Sequence, residues 1–126
     1  MPKTVLIVDD SSILRNVIKE FLKKTTGLAD FRDASNGEEA IELVSLEKPD
    51  LVILDLAMPV MDGLEAARVL KSIAPDVPIL LFTMYSARAE DVGVDAVISK
   101  VDGIGQLAQS VQTLLSRGPT SSPANA

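Results

Sequence analysis

Short apolar runs that stop abruptly on a polar side chain recur along this chain and constrain its fold more than any other feature. Leu51 to Leu54 ends on Asp55, Thr4 to Val8 ends on Asp9-Asp10, Ile79 to Phe82 runs into Thr83, and Ala96 to Ser99 ends on Lys100. Four or five apolar residues without alternation read as strands covered on both faces, the pattern of a parallel sheet. In open parallel α/β sheets the crevice outside the carboxyl ends of the strands is the ligand-binding edge. Asp55, Asp9, Asp10, Thr83 and Lys100 would therefore share one edge.

The stretches between these runs carry helical periodicity. After Ser11 and Ser12, which can cap a helix, Leu14, Val17, Ile18, Phe21 and Leu22 follow a 3.6-residue period up to Thr25-Thr26-Gly27. Leu28 to Ala34 reads as a weaker, more polar strand near a sheet edge. Asn36-Gly37-Glu38-Glu39 opens a second helix, with Ala40, Ile41, Leu43 and Val44 facing inward and Lys48-Pro49-Asp50 closing the unit. Leu64 to Ile73 forms a third, with Leu64, Ala67, Leu70 and the Lys71 to Ile73 turn toward the sheet, and Pro75 and Pro78 lead into the next strand. Ser86 to Val92 leaves room for at most a two-turn helix, and the last helix turns Leu107, Ser110, Val111, Leu114 and Leu115 inward. With connections this short, the units predict a doubly wound α/β fold around a five-stranded parallel sheet.

Residues 1–116 are expected to form one domain, and residues 117–126, rich in Ser and Pro, a disordered tail or linker stub. The 126 residues are 47% hydrophobic and only 3% aromatic, which suits a core of Val, Ile, Leu and Ala. Lys and Arg number 12 against 18 Asp and Glu, a net charge of −6 with no basic stripe, so nucleic-acid binding through this domain is not expected. The absence of Cys and His excludes thiolate and imidazole chemistry and zinc sites of the usual kind. No signal peptide or membrane-length apolar stretch is visible, and a cytoplasmic location is expected.

Three carboxylates at one edge repel one another and recruit a cation, and Mg²⁺ suits an all-oxygen donor set that leaves room for water and phosphate oxygens. A hydroxyl from Thr83 and an ammonium from Lys100 add what phosphoryl transfer requires, which is mainly positioning and charge neutralisation. Asp55, alone at the end of the central strand, is the nucleophile expected to form an acyl phosphate, and Asp9 and Asp10 are placed to hold the ion. Asp62 with Gly63 reads as turn chemistry, and Met58 and Met61 as packing.

Asp9-Asp10, the stretch Asp55-Leu56-Ala57-Met58-Pro59-Val60-Met61-Asp62-Gly63, Thr83 and Lys100 together resemble the receiver domain of two-component response regulators, over about residues 3–116. The resemblance implies a flavodoxin-like strand order 2-1-3-4-5. It also implies that Asp55 accepts phosphate from a sensor histidine kinase or a phosphotransfer protein and that a downstream protein target reads the result. Asp10, Asp55 and the Ala57 backbone carbonyl would ligate Mg²⁺, Asp9 would assist through water, and Thr83 and Lys100 would contact the phosphoryl group. The chain departs from the family pattern in three places. Val101 follows Lys100 where the family has proline, so a trans bond is expected there; Val97 replaces an aromatic residue; and the Thr83 to Lys100 segment is short by roughly a turn of helix, which makes the fourth helix short or irregular. Ala57 and Tyr85 stand where the family tunes access of water, and this pair predicts a long-lived phosphoryl group.

The alternative is a receiver-like interaction module whose output does not depend on phosphorylation. A Mg²⁺-dependent phosphohydrolase is disfavoured because Ala57 occupies the place of a second acid, and flavin mononucleotide binding because no Ser/Thr/Gly-rich phosphate loop follows the first strand.

Overall fold

The computed structural model describes residues 3–56, 63–84 and 93–117. Strands β1 (Thr4–Val8), β2 (Asp30–Ala34), β3 (Leu51–Leu54), β4 (Ile79–Thr83) and β5 (Ala96–Ser99) alternate with helices α1 (Ser12–Thr26), α2 (Gly37–Leu46) and α3 (Gly63–Ile73), and α4 (Leu107–Arg117) follows β5. All strand pairs are parallel and the order is β2-β1-β3-β4-β5, the arrangement expected. The short helix expected over residues 86–92, the backbone of Ala57, the side chains of Met58, Met61, Asp62 and Tyr85, and residues 118–126 of the expected tail lie outside the described residues, whereas Arg117, placed in that tail by the sequence reading, is the last residue of α4.

Both faces of the sheet are covered, and the alternation along each strand sorts the core into two halves. Leu6, Val8, Val52, Leu54 and Leu81 face α2 and α3, where Ala40, Val44, Ala66, Ala67 and Leu70 meet them. Val5, Ile7, Leu51, Ile53, Leu80 and Phe82 face α1 and α4, against Ile18, Leu22, Leu107, Val111 and Leu114. Burial on both sides explains why β1, β3 and β4 have no polar alternation in sequence. β2 pairs only with β1, which leaves it at an edge and accounts for its polar composition.

Local chemistry sets the helix ends. The Ser11 hydroxyl accepts the Leu14 N–H at 3.1 Å to open α1, and Gly27, left-handed at φ 78°, closes it by donating its N–H to the Lys23 carbonyl. At α2 the Asn36 side chain accepts the Glu39 N–H at 2.9 Å, while Glu39 reaches back to the Ser35 N–H at 2.8 Å, a reciprocal cap.

Three expectations are corrected. β2 begins at Asp30 rather than Leu28, because its only partner, β1, starts at Thr4, and Thr4 pairs with Asp30; Leu28 instead tucks against the α1 face. Val17 is 48% exposed, since the buried stripe of α1 is narrow and centred on Ile18 and Leu22, leaving Val17 at its margin with Ile13. In α3 the inward set is Ala66, Ala67 and Leu70, and the chain just past the helix buries Ala74, so Ile73 stays 40% exposed and Lys71 turns to an ion pair with Asp95 at 2.9 Å.

This phasing has a direct test. Leu22→Ala, which empties a fully buried position, is expected to cost about 2–5 kcal/mol, and Val17→Ala well under 1 kcal/mol, both read from urea denaturation.

Candidate functional site

The ladder between β1 and β3 assembles the site. Val8 and Leu54 are Cα partners and the Asp55 N–H donates to the Val8 carbonyl at 3.0 Å, so Asp9 and Asp55 leave adjacent strands side by side. Thr83 is the Cα partner of Ser99, so Lys100 emerges beside the end of β4 on the same edge.

Carboxylate oxygens of Asp9, Asp10 and Asp55 lie within 4.8 Å of one another. Asp9 and Asp55 are buried, at 3% and 6% exposure, whereas Asp10 faces solvent; Thr83 is fully buried. The Lys100 ammonium sits 2.9 Å from Asp9 Oδ2 and 3.4 Å from Asp55 Oδ2, with the Phe82 ring 5.9 Å from it. The second oxygen of Asp9 accepts the Ser11 N–H at 2.9 Å, where the start of α1 favours negative charge. Five of the six residues expected at the site thus converge, and the sixth, Ala57, lies outside the described residues. The Lys100–Val101 bond is trans, as all described peptide bonds are.

One lysine against three acids leaves the cup negative. Its donors are all oxygens, two of the carboxylates are shielded from water, and the third is open to solvent, a set that suits a hard divalent cation keeping some of its own water.

The sequence reading missed two supports of this cup. Arg15 donates from Nη1 to the Asp9 backbone carbonyl and from Nε to Asp33 Oδ2 at 2.9 Å, tying the end of β1 to β2; Lys19 pairs with the same Asp33. An arginine one turn into a helix is indistinguishable in sequence from a solvated charge, so only the fold reveals this bond. Burial pushes the Asp33 carboxyl up, but hydrogen bonds from Lys19 and Arg15 and their positive charges outweigh it, and the net pKa lies below the ordinary 3.8.

Gly63 is the second support. Read in sequence as a turn residue with Asp62, it is the first residue of α3 and provides close approach: a Cβ there would stand 2.2 Å from the Asp55 carbonyl oxygen and 2.5 Å from Leu56 Cα, and its N–H donates to the Leu56 carbonyl at 2.8 Å. The start of α3 is pressed against the end of β3.

Two outcomes follow. Gly63→Ala would gain helix propensity if the site were open, yet it is expected to destabilise the fold by about 1–3 kcal/mol through overpacking, measured by urea denaturation. Because Asp33 is held below its ordinary pKa of 3.8, it contributes stability above that value, and the contribution is lost as pH falls through the lower folded value. Asp33→Asn is expected to flatten the acid limb of stability below about pH 4, in denaturation curves at stepped pH.

Known proteins share this architecture. The family model described as response regulator receiver domain matches residues 5–112. The transcriptional regulatory protein PdtaR of Mycobacterium tuberculosis is 37% identical over 121 residues, which cover 93% of this chain but 58% of that protein; this chain spans little more than half its length. The chemotaxis protein CheY of Halobacterium salinarum is 37% identical over 105 residues, 79% of this chain and 86% of that one. The response regulator TrrA from Thermotoga maritima, solved in complex with Mg²⁺-BeF, superposes with a TM-score of 0.79 at 34% identity, covering 89% of this chain and 98% of that one. With a strand order, a clustered acid edge and a family match that agree, the chain belongs to the response regulator receiver domain family.

Proposed function

We propose that this protein is a phosphoacceptor of two-component signalling that carries its phosphoryl group on Asp55. The observation that carries the reading is the Lys100 ammonium lying within 3.4 Å of the carboxylates of both Asp9 and Asp55 at an edge that also gathers Asp10. One acid is thereby presented as a nucleophile while its neighbours hold a cation.

In the proposed reaction an Asp55 carboxylate oxygen attacks phosphorus and an acyl phosphate O–P bond forms. The bond from phosphorus to the donor breaks, and the donor, the imidazole of a sensor histidine kinase or phosphotransfer protein, leaves with the electron pair and takes up a proton. Asp10, Asp55 and the Ala57 carbonyl, with Asp9 through water, would hold Mg²⁺, which when bound neutralises charge on the phosphoryl oxygens. That TrrA was solved with Mg²⁺-BeF supports this choice of ion. Lys100 exchanges part of its contact with the carboxylates for the incoming phosphoryl oxygens, and Thr83 donates a hydrogen bond to them. The acyl phosphate then alters binding to a downstream protein.

The reading of an interaction module independent of phosphorylation draws on Val97. It is the Cα partner of Leu81 and packs against the α2 and α3 half of the core, where an aliphatic side chain offers no aromatic ring to swing between positions.

Incubation with Mg²⁺ and acetyl phosphate is expected to add one phosphoryl group by intact-mass measurement, with none in Asp55→Asn or after chelation, and with Lys100→Ala slower by roughly a hundredfold. No uptake by the wild-type protein would overturn the phosphoacceptor reading. Partner binding unchanged in Asp55→Asn would favour the interaction module.

A further inference from the structure

Lys100 must hold its ammonium at two buried carboxylates from a loop whose next residue gives no anchorage, since Val101 is 72% exposed. Hydrogen bonding holds that loop instead. Lys100–Asp102 form a single 3₁₀ turn; the Val101 N–H donates to the Ser99 hydroxyl at 3.1 Å, and the Gly103 N–H donates to the Lys100 carbonyl at 3.1 Å. Gly103 has φ 85°, which a residue with a side chain adopts only with strain, and beyond it Ile104 packs against the α1 and α4 half of the core. Ser99 is itself the last residue of β5 and the Cα partner of Thr83, so the cap grows directly from the sheet.

We propose that Ser99 is a positioning residue for Lys100: its hydroxyl fixes the turn that aims the ammonium at Asp9 and Asp55. The inference rests on the phosphoacceptor reading for its consequence in phosphoryl transfer, though not for its consequence in cation binding. With the cap removed, the backbone under Lys100 samples other directions and the ammonium spends less time in the cup. Two effects of opposite sign follow. The cup becomes more negative and binds a cation more tightly, because the lysine no longer competes; phosphoryl transfer slows, because the charge that should meet the phosphoryl oxygens is misplaced. General loosening of the edge would weaken both.

The test titrates Mg²⁺ alone into wild type, Ser99→Ala, Ser99→Thr, Lys100→Ala and the double variant Ser99→Ala/Lys100→Ala by calorimetry, and measures phosphorylation by acetyl phosphate in parallel. Ser99→Ala is expected to bind Mg²⁺ about threefold more tightly and to accept phosphate about three- to tenfold more slowly, the worth of one hydrogen bond, while Ser99→Thr stays within about twofold of wild type on both. In the Lys100→Ala background the substitution should leave Mg²⁺ affinity unchanged, since the effect is transmitted through that lysine. Gly103→Ala, which strains the same turn, should reproduce both signs. Ser99→Ala lowering Mg²⁺ affinity and phosphorylation together, or shifting affinity equally with and without Lys100, would overturn the proposal. Absence of phosphorylation in the wild type would overturn the phosphoacceptor reading and leave the Mg²⁺ cycle to decide on Ser99.

Discussion

The pairing of Val8 with Leu54 in a parallel ladder is the constraint on which this molecule depends. It forces two carboxylates out of neighbouring strands at the same level, and burial removes the water that would otherwise screen them. The rest of the edge manages that charge. Lys100 crosses from the end of β5 to lie against both acids, the N–H of Ser11, the residue that caps α1, donates to Asp9, and Asp10 stays in solvent. Net negative charge remains, the electrostatic condition on which the proposed cation site rests.

The scaffold around this cup sets where its charges stand. β1, β3 and β4 are buried on both faces, so the packed core fixes the level at which their ends emerge. Arg15 binds the Asp9 carbonyl and Asp33 at once and locks the end of β1 to the edge strand β2, and Gly63 lets α3 start in contact with the Asp55 backbone. A side chain of one carbon at Gly63 would push directly on the residue proposed to accept phosphate.

Most of the fold is legible in the order of the residues. Unbroken apolar runs mark doubly covered strands, and Ser11, Gly27 and Asn36 act as caps because their chemistry is local. Margins were less legible. Whether Val17 belongs to the buried stripe of α1, or Ile73 to that of α3, depends on how far a helix rolls on the sheet, and periodicity leaves that roll open by about one residue. The start of β2 was misplaced for a similar reason: a strand is as long as its partner allows.

By itself, the sequence determined the strand-helix alternation, the helix caps, and which acids, hydroxyl and amine end their strands, since all of these follow from local composition and spacing. The tertiary structure alone decided that Arg15 reaches the Asp9 carbonyl, that Gly63 is needed for its missing Cβ, and that a turn capped by Ser99 carries Lys100 to two acids. These are contacts between segments distant in the chain or angles within a loop. Their energies depend on separations of a few tenths of an ångström, which no residue pattern encodes until the core has packed.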